Sequence, residues 1–145
     1  MKNLPTVAIL LIALFLSSCK NSGPYSIMVD ITVLDQQGEN LLASPVGYKR
    51  ENIDIYYVID GKAQLYNPNT NKGFQLFKDL NNNEVIRIDL NHDRKQKYPL
   101  TLVKFGTSTV DTLKAKFKHT SHSSELQTVW LNGVQKDIKG FIIIK

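Results

Sequence analysis

The chain has one cysteine, one tryptophan and two methionines among its 145 residues. A lone cysteine excludes an intrachain disulfide framework and a cysteine-built zinc site. No window after residue 24 sustains the i, i+3, i+4, i+7 apolar spacing of an amphipathic helix. No Gly-x-Ser-x-Gly elbow, Walker loop or dinucleotide loop occurs. The acidic residues are scattered over turns, so no carboxylate pair for acid–base work can be assigned. What is present is ordinary globular material. Hydrophobic residues make up 42% of the chain, enough for a core, and charged residues 21%, with both signs mixed. One domain of usual size fits that composition and length.

The amino terminus is different in kind. Lys2 is followed by an unbroken apolar run over residues 7–16 and then by Leu16-Ser17-Ser18-Cys19. A charged start, a short apolar stretch and small residues make a secretory signal. As a helix the run would span only ~15 Å, half of a ~30 Å hydrocarbon core, so it does not predict a permanent membrane span. Leu-Ser-Ser-Cys resembles the bacterial lipobox. That resemblance implies cleavage before Cys19, a diacylglyceryl thioether on its sulfur and acylation of the new amino group. Each buried CH₂ contributes ~0.8 kcal/mol, so two or more chains anchor stably where one does not. The expected organisation is therefore a signal peptide over 1–18, a lipidated tether over 19–24 and a folded domain over 25–145. The tether is short, so the domain sits close to its membrane.

Period-two patterning dominates the rest. Tyr25, Ile27, Val29, Ile31 and Val33 alternate with Ser26, Met28, Asp30, Thr32 and Leu34. Further strands are expected over 52–59, 62–66, 74–78, 84–90, 100–105, 113–118, 125–131 and 134–144. Asp60-Gly61 and Asn132-Gly133 supply the positive φ angles of two-residue hairpin turns. Eight or nine short strands joined by such turns predict an all-β, antiparallel sandwich, with no cofactor required for stability. The stretch from Asp30 through Gly38 to Leu42 resembles the first strand and turn of prealbumin-like and immunoglobulin-like sandwiches. Such domains are common in small envelope lipoproteins.

Several groupings invite a chemical reading. Asp89, Asn91 and Asp93 have the opening spacing of a calcium loop, but Arg94 stands where Gly is needed and Leu100 where Glu is needed. A polar turn is expected there, and no metal site. His119 and His122 lie in a Ser/Thr-rich segment with no third ligand, which also reads as a turn. Charge is unevenly spread: residues 20–92 carry seven basic against nine acidic groups, and residues 93–145 ten against four. Lys114, Lys116 and Lys118 alternate along one strand, ~7 Å apart and within a Debye length of each other. They would make a positive field for anionic head groups or glycans. In the last hairpin, pairing Trp130 with Gln135 puts Val129, Leu131, Val134, Ile138, Ile142 and Ile144 on a core side. Trp130 then lies on the opposite side with Thr128, Asp137 and Lys139.

The candidate sites are thus Cys19 for lipidation and Trp130, Lys114, Lys116 and Lys118 for ligand contact. No catalytic residue, metal or cofactor is assigned. The expected function is that of a non-catalytic binding module on a Gram-negative outer membrane, periplasmic or surface-facing. Its partners would be the membrane through Cys19 and an envelope protein, glycan or anionic head group. Nucleic acid is not expected. An inhibitor or structural subunit of an envelope complex is the alternative, and an enzyme the weakest reading.

Overall fold

The computed structural model describes residues 27–43, 45, 47–66, 72–107 and 110–145. The expected signal over 1–18, Cys19, the tether over 19–24 and most of the polar loop at 67–73 lie outside them. Ten strands are present among the described residues: β1 (Met28–Leu34), β2 (Ile53–Ile59), β3 (Lys62–Leu65), β4 (Phe74–Lys78), β5 (Glu84–Asp89), β6 (Leu100–Phe105), β7 (Asp111–His119), β8 (Ser124–Leu131), β9 (Val134–Lys136) and β10 (Phe141–Ile144). They form two sheets, one ordered β10-β1-β5-β4 and the other β3-β2-β6-β7-β8-β9. The only helical element among these residues is a 3-10 turn, Arg50–Asn52.

Alternation decides what each strand buries. Val29, Ile31, Val33, Ile86 and Ile88 point inward from the first sheet, and Ile53, Ile55, Val103, Phe105, Leu113 and Val129 from the second. Both inner rows meet in one core, which is the sandwich architecture expected from period-two strands. The hairpin turns also hold. Asp60 and Gly61 have φ of 50° and 74°, and Asn132 and Gly133 49° and 88°. Positive φ at both central residues gives the twist that adjacent strands require.

The structure corrects the final segment. Leu131 pairs with Val134, Trp130 with Gln135 and Val129 with Lys136, as the register predicts, but the ladder stops there. Thr128 keeps its β7 partner, Lys116, but has no ladder partner at Asp137 on the β9 side. After Lys136 the chain turns through Asp137, whose Oδ1 accepts the Lys139 N–H at 2.9 Å, and crosses to the other sheet. Gly140, at φ 146°, allows the crossing, since a Cβ there would stand 3.0 Å from the Asp30 carbonyl oxygen. β10 then pairs with β1 in parallel, Ile31 opposite Phe141 and Val33 opposite Ile143. The new ladder resets which residues face inward. Ile143 is buried, while Val134 (60% exposed), Ile138, Ile142 (51%) and Ile144 (66%) are not. Two strands stand where one long one was expected, and one pair in the sandwich is parallel.

Candidate functional site

The outer face of the six-stranded sheet carries the features expected of a contact surface. In an antiparallel ladder, residues directly opposite share a face. Leu100 stands opposite Lys114, Lys114 opposite Trp130, and Trp130 opposite Gln135, making one row across four strands. A neighbouring row runs from Leu65 through Tyr56 and Leu102 to Thr112. Trp130 therefore lies on the outer side, as its register predicts, and is half-buried. Its cover is local. The Tyr98 ring meets it edge-on, with centroids 6.0 Å apart at 84°. The Lys114 ammonium lies 4.6 Å from the indole centroid and 5.7 Å from that of Tyr98. Lys97 stands 5.4 Å from the Tyr98 centroid. A cation over an aromatic face gains from the ring quadrupole, and the lysine stems add apolar cover.

The three candidate lysines differ in setting. All lie on the outer side of β7, but Lys114 is half-buried beside Trp130, whereas Lys116 and Lys118 are exposed. A bulge after Lys116 pairs Phe117 with Leu126 and leaves Gln127 as the extra residue of β8. Beyond it Lys118 stands opposite Glu125, so part of the positive field is offset there. Lys114 and Lys116 are the pair left flanking Trp130.

The connection leading to Tyr98 is held from below. Asn91, buried, donates its Nδ2 to the carbonyls of Val58 (3.1 Å) and Leu100 (3.3 Å). Its Oδ1 accepts the Asp93 N–H at 3.1 Å, and its own N–H donates to the Thr101 hydroxyl at 2.8 Å. Asn91 thus spends its polar groups inside the protein, so the Asp89, Asn91, Asp93 spacing builds a turn. Hydrogen bonds from the Lys95 N–H and the Gln96 side chain hold the Asp93 carboxyl below its usual range. Burial pushes the Asp89 carboxyl above that range, and burial likewise raises the Tyr57 phenol, which donates to the Asp89 carbonyl at 3.0 Å.

His119 closes β7 and His122 sits in the turn to β8. The His119 Nδ1 is 2.8 Å from the Ser124 hydroxyl and the His122 Nδ1 is 2.6 Å from that of Ser121. Among the described residues no carboxylate bonds either ring, and no three metal-ligating side chains come together. Tyr98 and Lys97 were missed by sequence reasoning. They lie in a connection without periodicity, and only the ladder that places Trp130 beneath them reveals their role. No family model matches this chain, and neither a curated protein nor a solved structure matches it.

Proposed function

We propose that this is a lipid-anchored cell-envelope protein, held through Cys19, that binds a partner protein on the outer face of its six-stranded sheet. The apolar leader, the Leu16-Ser17-Ser18-Cys19 ending and the immunoglobulin-like or prealbumin-like opening strand support the envelope setting. The observation that carries the binding role is the cluster of Trp130, Tyr98 and Lys114. Tyr98 is 41% exposed and Leu65, on the same face, 56%. Aromatic rings held rigid by neighbours, amid apolar side chains and rimmed by lysine, are what protein hot spots are made of. A sugar would need the indole face, and Lys114 already lies over it. The lysine rim fits a partner whose apolar contact is bordered by acidic groups.

Cross-linking in native membranes tests this. A partner captured by wild type should be lost in Trp130→Ala, by about 2 kcal/mol or ~30-fold in affinity. Replacing Lys114 and Lys116 together by Gln should weaken capture at low salt and less at high salt. Leu80→Ala, at a fully exposed turn, serves as the control. Equal capture by Trp130→Ala and wild type overturns the assignment of the face. Absence of acyl mass on the amino-terminal peptide overturns the anchor.

A further inference from the structure

A second positive feature lies at one end of the sandwich, where the chain enters β1. His92 falls in the connection over residues 90–99 and His122 in the one over 120–123, and His119 closes β7 beside them. The first of these connections also carries Arg94, Lys95 and Lys97 against a single acid, Asp93. Between them opens a cleft of about 310 Å³ lined by Ile27, His92, Arg94, His122, Ser123 and Ser124. The lining includes no carboxylate. Asp93, outside the cleft, is occupied by its bonds to Lys95 and Gln96.

The cleft is braced. Arg94 donates Nη2 to the Ser123 carbonyl at 3.2 Å, so its guanidinium spans from one connection to the other. The Thr120 hydroxyl accepts the N–H groups of His122 (3.3 Å) and Ser123 (3.0 Å), fixing the turn that presents them. The His92 Nδ1 lies 3.2 Å from the Leu90 carbonyl, which can only accept, so Nδ1 carries the proton. Guanidinium has five donors in a planar fork, and Arg94 forms no other hydrogen bond among the described residues. A fork with unused donors, two imidazoles and hydroxyls around a cavity without a carboxylate is a setting for a tetrahedral oxyanion.

We propose that this cleft binds a phosphate group, with Arg94 as the principal contact and His92 and His122 flanking it. Two sources share that chemistry: a lipid head group and free phosphate. The choice of source rests on the anchor proposed above. Ile27 is eight residues from Cys19, at most ~29 Å of extended chain, which brings the cleft within reach of the bilayer surface.

The test uses the full chain in non-ionic detergent, titrated with inorganic phosphate while the histidine ring resonances are followed by NMR. His92 and His122 should shift and saturate, while chloride at equal ionic strength should leave them unmoved. Arg94→Gln should weaken the response at least tenfold. An unchanged response in Arg94→Gln, or none in wild type, overturns the site. In a second arm the chain carrying Cys19→Ser is mixed with phosphatidylcholine vesicles with or without phosphatidic acid. Binding that needs phosphatidic acid and Arg94 identifies the lipid source. A phosphate response without vesicle binding upholds the site and identifies free phosphate. Failure of the anchor is read separately, from the acyl mass on Cys19.

Discussion

Replacing Lys145 by Met should show how far one buried ion pair joins the two sheets. The Lys145 backbone N–H donates to the Leu34 carbonyl on β1 at 2.9 Å, while its ammonium lies 2.5 Å from Oδ2 of Asp111 on β7. The side chains are 11% and 7% exposed. The other oxygen, Oδ1, accepts Nδ2 of Asn132 at 2.9 Å, and Asn132 Oδ1 accepts the Thr112 N–H at 2.8 Å. Removing the cation leaves a carboxylate that water barely reaches, and breaking such pairs costs about 3–5 kcal/mol. Lys145 keeps slight exposure, so the low end applies: about 3 kcal/mol, or a fall of ~10 °C in Tm for a domain of this size. Asp111→Asn in the same chain removes the stranded charge and should restore most of that loss, a coupling of about 2 kcal/mol. Urea unfolding followed by far-UV circular dichroism measures all four corners of the cycle. A Lys145→Met protein within about 0.5 kcal/mol of wild type, the range of ordinary surface changes, would refute the clasp.

Trp130 should fluoresce between the free and fully buried extremes, and Tyr98→Ala should red-shift it and increase acrylamide quenching. Unchanged emission would mean that Tyr98 does not cover the ring. Asp79, partly exposed, accepts N–H groups of Asn81 and Asn83 at 2.8 Å each, and these bonds hold its carboxyl below the usual range. A lowered folded-state value contributes stability above the ordinary carboxylate range and loses it as pH falls through the folded value. Asp79→Ala should therefore lower Tm at pH 7 and flatten the fall of Tm on acidification; a parallel acid profile counts against it. Asp89 has the opposite sign, since burial raises it and its stability contribution declines as pH rises. Asp89→Asn should raise Tm at pH 7 and leave it nearly unchanged below the carboxylate range.

Local strand patterns were legible because each strand buries one face against a single core. The stretches 74–78 and 100–105 fall on β4 and β6 residue for residue. Alternation reports which side a residue takes within a strand, and so it placed Trp130 outward. It does not report where a strand ends. Residues 134–144 carry enough apolar residues for one long strand, and only the crossing at Gly140 shows that Ile143, not Ile142 or Ile144, meets the core. The cleft beside Ile27 was hidden for a related reason. Its residues come from two connections about thirty positions apart, joined by an arginine-to-carbonyl bond that no period encodes. His119 and His122 were visible as a pair, but only the fold brings Arg94 beside His122.

The parallel pairing of β10 with β1 also orders events in time. On the side of β1 away from β5, residues 31–34 pair with residues 141–144. Among the described strands β10 comes last in sequence, so that ladder can form only after the other nine have been made. The hairpins of the six-stranded sheet join near neighbours and can form early, whereas closing the other sheet spans almost the whole domain. Contacts of such long range place β-sandwiches among the slower folders, in milliseconds to seconds. Until β10 arrives, β1 offers an unpaired edge to any other extended chain.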